Sequence, residues 1–431
     1  MNRSEEIKEK AHKHLITSMV SKLEPVVIDK AYGAIIKDIE GKEFIDCFAG
    51  LSVVNAGHCQ PKINQAAIEQ AKKLVHACTY LYYIEPAINL AEKLAEITPP
   101  NLEMSFFGNS GAEAVEAALK LARKFSKKYE ILALMNSFHG RTFGCLSITG
   151  QSSRKKYDMG PYLPGVAFAS PPYCYRCPFE KEYPSCDILC ARSIENTIEY
   201  CTSKGIAAFI AEPVLGEGGI IVPPPEYFKV AKEILDNHEI LFIDDEVQTG
   251  FCRTGKFFAI DHFNINPDIM TMAKGIANGF PLGACTTRTD IGNSFEPGDH
   301  FSSFGANPIC SAAALANIDF LLEERLAEKS ADDGKYLLNR LENMKEKYLI
   351  IGDVRGLGLM IGVELVKDHQ KKIPAKEETL KIRDMCRENG LLIGSGGVKG
   401  NVLRIQPPLV IRRQQLDKTL EILESALKKY S

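Results

Sequence analysis

The sequence predicts an α/β protein in which a mostly parallel, helix-covered sheet forms the larger part and a smaller α+β domain follows. Between residues 100 and 275, short continuous apolar runs alternate with segments of amphipathic helical spacing, which is typical of parallel strands buried on both faces. Beyond residue 310, two long helical segments precede further strands and a final helix. At 431 residues the chain is also too long for one ordinary hydrophobic core.

The strands predicted for the large sheet are the apolar runs themselves. They are Met104–Phe107, Ile131–Met135, Ala207–Ala211, Ile240–Ile243 and Ile269–Met272. Helices are expected between them, for example over Ala112–Lys124 and Glu226–Asp236. Because ligands of parallel sheets bind beyond the carboxyl ends of the strands, the residues that directly follow these runs are candidate site residues.

The remaining elements divide the chain into three segments. A small sheet with loops is expected over residues 41–61, with helices over Ala67–Leu74 and Pro86–Ile97 after it. The C-terminal elements are helices over Ile309–Leu326, Asp333–Lys347 and Gln414–Lys429 and strands near Gly358–Glu364 and Val402–Ile405. We expect residues 1–60 to belong to the small domain, 61–310 to form the large domain and 311–431 to complete the small one.

Composition and charge limit the classes of binding partner that we expect for this protein. Hydrophobic residues make up 45% and charged residues 25% of the chain, as in ordinary globular proteins. The net charge of −3 provides no basic surface for nucleic acid or an anionic membrane. No apolar run approaches the ~20 residues that span a bilayer, and the charged N-terminus lacks the apolar core of a signal peptide. We therefore expect a cytoplasmic protein without nucleic-acid or membrane partners.

Two strand ends carry the most informative residues. The run that ends near Ile243 is followed by acids that include Asp245, and the run Ile269–Ala273 is followed by Lys274. An amine at one strand end and a carboxylate at a neighbouring one suit pyridoxal phosphate (PLP), which needs a Schiff-base lysine and an acid opposite its pyridine nitrogen. Taken alone, the pattern leaves open that Lys274 is a surface lysine after a strand.

Three further segments follow predicted strands. Ser110, Gly111 and Ala112 open a helix, where free N–H groups attract a phosphate, although many such turns serve only as helix caps. Phe138, His139 and Arg141 follow the second strand, where an aromatic ring can stack on a heterocycle and a guanidinium can bind a carboxylate. Glu212, at a strand end before proline, is expected either to neutralise an arginine or to act in catalysis.

Several motifs occur together in one order along the chain. They are SGAEA from Ser110, FHGRT from Phe138, AEPVLGEGG from Ala211, DEVQTGFCRTG from Asp245, AKGIANGFPLGA from Ala273, FGANP from Phe304 and LRIQPPL from Leu403. With these motifs the chain resembles the class III (ω-amino acid) aminotransferases, PLP-dependent transferases of fold type I. The resemblance runs from Asp46 to the C-terminus.

The resemblance implies a role for each cofactor-site residue. Lys274 is expected to be the Schiff-base lysine and the proton carrier, and Asp245 the partner of the pyridine nitrogen. Val247 and Phe138 are expected to enclose the ring, with His139 beside it, and Gln248 to bind its phenolic oxygen. Ser110, Gly111 and Ala112 are expected to hold the phosphate. Ser303 stands where the family has a Thr that reaches the partner subunit's phosphate, which implies a homodimer with shared active sites.

The resemblance also bears on the substrates. In 4-aminobutyrate aminotransferases, the residue that matches Arg141 binds the distal carboxylate, and the one that matches Arg404 binds an α-carboxylate. We assign to Glu212 the family's acid that pairs with Arg404 when the donor has no α-carboxylate. These residues predict an ω-amino acid donor with 2-oxoglutarate or pyruvate as acceptor, in a ping-pong reaction. Leu51, where ornithine-type relatives carry Tyr, favours 4-aminobutyrate, β-alanine, 5-aminovalerate or taurine over ornithine.

Two questions stay open at this stage. A racemase or epimerase of the same fold needs Lys274 and Asp245 equally, so these residues do not discriminate it from an aminotransferase. Cys174, Cys177, Cys186 and Cys190 have a spacing compatible with a tetrahedral zinc site, and free thiols or a disulfide are the alternative.

Overall fold

The computed structural model of the chain describes residues 3–16, 23–151 and 157–430. Its strands are β1 (Ile28–Tyr32), β2 (Ile35–Asp38), β3 (Glu43–Cys47), β4 (Met104–Gly108), β5 (Glu130–Leu134), β6 (Val166–Ala169), β7 (Ile206–Ala211), β8 (Leu241–Asp245), β9 (Ile269–Met272), β10 (Gly283–Thr287), β11 (Ile351–Leu357), β12 (Met360–Asp368), β13 (Ile373–Pro374), β14 (Leu391–Gly396) and β15 (Val402–Ile405).

Helices precede, connect or follow these strands along the chain. They are α1 (Arg3–His14), α2 (Ala49–Ser52), α3 (Pro61–Lys73), α4 (Glu85–Ile97), α5 (Gly111–Ser126), α6 (Phe143–Ile148), α7 (Leu189–Cys201), α8 (Tyr227–Asn237), α9 (Thr289–Gly292), α10 (Pro308–Glu323), α11 (Leu326–Lys347), α12 (Lys376–Glu388) and α13 (Arg413–Leu427). Within the described ranges, no helix combines the length and apolarity needed to cross a membrane.

The larger part is built on a seven-stranded sheet with the order β4-β10-β9-β8-β7-β5-β6. β10 is antiparallel to both of its neighbours, and the pairs from β9 across to β6 are parallel, which confirms the predicted mostly parallel sheet. The sequence did not reveal β6 or β10. The sequence of β10, Gly-Ala-Cys-Thr-Thr, is fully buried but has no run of large apolar residues that would identify it.

A second sheet has the order β1-β2-β3-β14-β15-β12-β11, with β13 beside β12. β3 pairs in parallel with β14, so that Ile45 lies opposite Leu391. The N-terminal strands thus join a sheet otherwise built from C-terminal strands. The domain boundaries themselves stay a prediction.

Helix α5 lies against the large sheet and contacts β4, β7, β9 and β10. Its buried face includes Ala114, Ala117, Ala118 and Ala122, all with 0% exposure. These small side chains let the helix axis approach the sheet closely. The start of α5 is thereby fixed at the same edge of the sheet as the carboxyl ends of β7, β8 and β9.

Candidate active site

A cavity of about 230 Å³ opens at the carboxyl edge of the large sheet. Its lining unites most of the site residues that the sequence predicts. The lining residues are Gly111, Ala112, Phe138, His139, Gly140, Arg141, Glu212, Asp245, Val247, Gln248 and Lys274. The parallel strands cause this convergence, since Glu212, Asp245 and Lys274 stand at or directly after the ends of β7, β8 and β9.

Asp245 is buried and has hydrogen bonds to both carboxylate oxygens. Its Oδ2 lies 2.6 Å from His139 Nδ1. Its Oδ1 accepts from the backbone N–H of Val247 at 3.1 Å and from the hydroxyl of Thr271 at 3.2 Å. These contacts hold the carboxylate in one orientation at the cavity wall. Thr271, which sequence reasoning missed, is recognisable only from the register of β9 against β8.

Lys274 follows β9 and begins a short 3₁₀ turn, Lys274–Ile276. Its backbone adopts a left-handed conformation with φ of 48°, which is unusual for a residue with a Cβ and common at functional sites. Burial lowers the pKa of the Lys274 amine, against the opposing influence of Glu217, Asp245 and Glu212. The neutral amine, which is the nucleophilic form, is therefore favoured relative to a solvent-exposed lysine.

The N-terminus of α5 contributes Gly111 and Ala112 to the cavity lining. Ser110 is the N-cap residue, and its side chain accepts from the N–H of Glu113 at 3.3 Å. A Cβ on Gly111 would lie 2.7 Å from Val247 Cγ1, so only glycine leaves this wall open. Free backbone N–H groups and a helix dipole at a cavity wall suit a phosphate group. Ser110 itself borders the cavity without lining it.

The side walls carry an aromatic ring, an amide and a guanidinium. Arg141 is exposed, with its guanidinium carbon 5.4 Å from the centroid of the Phe138 ring. Gln248 is buried, and its Oε1 accepts from the Nε2 of Gln406 at 3.3 Å. The cavity therefore combines a flat apolar surface with polar groups at its rim, as a charged heterocycle and a carboxylate would require.

Glu212 is not paired with Arg404 in the structure, in contrast to the prediction. Glu212 accepts from two backbone N–H groups, those of Phe138 and Gly216, each at 2.9 Å. Burial raises its pKa to about 7. The acid that faces Arg404 is instead Glu217, whose Oε1 lies 3.2 Å from Arg404 Nη1. The AEPVLGEGG segment contains both acids, Glu212 at the strand end and Glu217 between two glycines.

Arg404 lies on β15 and is 1% exposed. Its guanidinium carbon is 5.2 Å from the centroid of the Phe48 ring. Within the described residues, Arg404 Nε and Nη1 have no hydrogen-bond acceptor, since the contact with Glu217 is an ion pair without hydrogen-bond geometry. A buried guanidinium with unused hydrogen-bond donors is suited to bind a further anion.

Like Ser110 and Arg404, the predicted residues Leu51 and Ser303 are not among the residues that line the cavity. Leu51 is partly buried in a segment, Ala49–Ser52, whose four residues all have positive φ. Ser303 is exposed in the single chain, and its contact with a partner subunit stays a prediction.

The four clustered cysteines have free thiols. Cys174, Cys177, Cys186 and Cys190 line one small cavity of about 20 Å³. Across residues 3–16, 23–151 and 157–430, no group of three or more His, Cys, Asp or Glu side chains is arranged to hold a metal ion. The zinc prediction therefore finds no support.

Comparison with known proteins agrees with this geometry. The family model described as "Aminotransferase class-III" matches residues 17–427. A leucine/methionine racemase of Thermococcus litoralis is 44% identical over 94% of this chain and 90% of its own length. An acetylornithine aminotransferase of Methanosarcina mazei is 43% identical over 94% and 92%. A probable 4-aminobutyrate aminotransferase of Bacillus subtilis is 37% identical over 93% and 92%.

Solved structures show the same fold. An amine transaminase from an uncultivated Pseudomonas species, solved in its PLP-bound form, superposes with a TM-score of 0.91 at 32% identity, covering 97% of this chain and 98% of the other. The relatives include both aminotransferases and a racemase, so sequence similarity alone leaves the substrate open.

Proposed function

The chain belongs to the class III aminotransferases, PLP-dependent enzymes of fold type I, and on that premise we propose that its amino donor is an ω-amino acid. The acceptor in this proposal is a 2-oxo acid, 2-oxoglutarate or pyruvate, and the two substrates react in turn by a ping-pong mechanism. The observation that supports this donor class is the buried ion pair between Glu217 and Arg404.

The cavity residues fit PLP. PLP, when bound, would withdraw electrons from the amine-bearing carbon of the donor and so allow that carbon to lose its proton. We assign the pyridine nitrogen to Asp245 and the phosphate to the N-terminus of α5, where a Cβ on Gly111 would fill the space. Lys274, whose pKa is lowered by burial, accepts and returns the proton at its Nζ. Phe138 and Val247, which both line the cavity, are assigned to enclose the ring.

The donor preference follows from the charge at Arg404. An α-amino acid brings an α-carboxylate, which would compete with Glu217 for the guanidinium. The amine-bearing carbon of an ω-amino acid carries a hydrogen where that of an α-amino acid carries the carboxylate, so the ion pair can remain intact and the buried charge stays compensated. The distal carboxylate of such a donor is assigned to Arg141, the exposed guanidinium at the cavity rim. Candidate donors are 4-aminobutyrate, β-alanine, 5-aminovalerate, taurine and ornithine.

A donor panel tests this proposal. Each candidate donor is supplied with 2-oxoglutarate and, separately, with pyruvate, and the aminated acceptor is quantified. We expect an ω-amino acid without an α-carboxylate to have the highest kcat/KM. A clear preference for α-amino acids, or for N-acetylornithine, would contradict the proposed donor class while leaving the family membership intact.

A racemase or epimerase is the second candidate, favoured by the 44% identity to the leucine/methionine racemase. The two activities separate in one experiment, in which holoenzyme receives a chiral amino acid and no acceptor. An aminotransferase converts stoichiometric donor and changes the visible absorbance of its cofactor. A racemase loses the chirality of excess substrate without a lasting absorbance change. We expect the first result.

We further propose that the enzyme is a homodimer whose subunits share their active sites. Aromatic side chains near Ser303 support this, because Phe301 and Phe304 are 53% and 63% exposed in the single chain. Sedimentation analysis should give twice the mass of one chain. A monomeric, fully active enzyme would refute the shared site.

A further inference from the structure

The connection after β7 carries Glu217 to its position beside Arg404. We call this segment the Glu217 loop and define it as residues 213–221. At its start, Gly216 N–H donates to Glu212 Oε2 at 2.9 Å. In its middle, the carbonyl of Glu217 accepts from the N–H of Gly397 at 3.2 Å. The last part of the loop, Gly219–Ile220, contacts a single guanidinium.

That guanidinium belongs to Arg355 on β11, which is in the other sheet. Its Nη2 donates to the carbonyl of Gly219 at 2.6 Å. Its Nε donates to the carbonyls of Gly219 and Ile220 at 3.1 and 3.0 Å. One planar side chain thus holds two consecutive peptide carbonyls of the Glu217 loop.

The remaining donors of Arg355 fix its own orientation. Nη1 donates to Asp353 Oδ2 at 2.6 Å and lies 2.9 Å from Glu364 Oε2. Nη2 also donates to the phenolic oxygen of Tyr173 at 3.1 Å, and the guanidinium carbon lies 5.0 Å from the Tyr173 ring centroid. Glu364 is 0% exposed, so this arrangement is a buried network. A lysine, with a single nitrogen, cannot make these contacts simultaneously.

The backbone of the Glu217 loop is strained and needs neighbouring groups to hold its conformation. Ile220 has a φ of 54°, a left-handed conformation that is costly for a β-branched residue, and Gly219 has a φ of 119°. A Cβ on Gly219 would lie 3.2 to 3.3 Å from Gly397, Val402 and Arg355. Conformations of this kind persist only where neighbouring groups hold them.

We propose that Arg355 is a positioning residue for donor specificity: by holding the Gly219 and Ile220 carbonyls, it keeps Glu217 opposite Arg404. This inference rests on the proposed function, in which the Glu217–Arg404 pair selects donors without an α-carboxylate. Arg355 is not among the residues that line the candidate active-site cavity. Its loss lets the Glu217 loop relax, which uncovers Arg404 for an α-carboxylate.

The experiment compares two donors that differ only by the α-carboxylate, 4-aminobutyrate and L-glutamate. If the donor panel selects another chain length, β-alanine and L-aspartate form the equivalent pair. For each donor, kcat/KM is measured with purified holoenzyme, and the ratio of the two values is the readout. We expect Arg355→Met to shift this ratio towards the α-carboxylate donor by about tenfold or more, and Arg355→Lys to shift it less.

Arg176→Lys is the matched control. Arg176 belongs to the same network, because its Nε donates to Glu364 Oε1 at 2.5 Å and its Nη1 to the carbonyl of Lys372 at 2.7 Å. It makes no hydrogen bond to the Glu217 loop. If the network had only a structural role, Arg355→Lys and Arg176→Lys would lower kcat/KM for both donors by the same factor. Such a result, with an unchanged donor ratio, would overturn the proposal.

A double-mutant cycle separates this proposal from the proposed function. In a Glu217→Ala background, Arg355→Lys should cause no further change in the donor ratio, since there is no carboxylate left to position. A full additional shift would overturn the role of Arg355. The parent enzyme's own preference between the two donors tests the proposed function independently, whichever way the variants behave.

Discussion

Asp245 Oδ2 lies 2.6 Å from His139 Nδ1, and both buried residues line the candidate cofactor cavity. Because Asp245 Oδ1 is held by Val247 and Thr271, the histidine contact completes the orientation of the carboxylate. The Nε2 of His139 has no hydrogen-bond partner among the described residues. His139 is therefore better explained by its contact with Asp245 than by a contact with substrate.

We predict that His139→Asn lowers kcat by about 10- to 100-fold, because a hydrogen bond to a charged group contributes ~1.5–3 kcal/mol. The measurement is the rate of the donor half-reaction, together with the dissociation constant of PLP. His58→Asn is the matched control, since His58 Nε2 lies 2.7 Å from the buried Asp46 but outside this cavity. Equal losses in both variants would show that His139 contributes only to stability.

The order of strands explains why the centre of this site was predictable and its substrate end was not. Lys274 and Asp245 follow apolar runs, and adjacent parallel strands necessarily bring their carboxyl ends together. Glu217 lies in a loop whose path depends on left-handed residues and on Arg355, more than one hundred positions later. Such a contact has no local sequence signal. The short strand β10 escaped prediction for a similar reason, because neighbouring strands bury its small residues.

Lys274→Ala should abolish turnover, because no other residue at this cavity offers an amine. Covalent trapping provides the specific measurement: borohydride reduction of the holoenzyme should make the cofactor non-dialysable and add its mass to the peptide that contains Lys274. The variant should release its cofactor after the same treatment. Lys256→Ala, which changes an exposed lysine, is expected to behave like the parent. Turnover by Lys274→Ala at a comparable rate would refute the central assignment.

Glu217→Ala tests which acid governs the donor choice. It leaves Arg404 without its acidic partner, so we expect the preference for 4-aminobutyrate over L-glutamate to fall by at least about tenfold. Glu212→Gln, which alters the acceptor of two backbone N–H groups, should change kcat/KM for both donors by a similar factor. If Glu212→Gln changed the donor ratio and Glu217→Ala did not, the original assignment to Glu212 would be reinstated.

Asp244 and Glu246 make the stability of the folded protein depend on pH. Both are 0% exposed, and neither carboxylate oxygen of Asp244 has a hydrogen-bond partner within the described residues. Burial and then the neighbouring Glu246 raise the pKa of Asp244, and burial raises that of Glu246 to about 8. Such groups keep their protons in the folded protein at pH values where the unfolded chain releases them. Stability is therefore highest below the unfolded pKa, near 4, and declines as the pH rises towards about 8.

We predict that Asp244→Asn removes part of this decline. Each proton retained only by the folded state lowers the free energy of unfolding by about 1.4 kcal/mol per pH unit. The free energy of unfolding of the variant should therefore increase relative to that of the parent as the pH rises from about 5 to 8. The measurement is urea unfolding of the holoenzyme across that range. Asp332→Asn, at an exposed position, is the control and should follow the parent at every pH. A constant difference between Asp244→Asn and the parent would mean that Asp244 is ionised in the folded protein, and that a compensating cation or water reaches it.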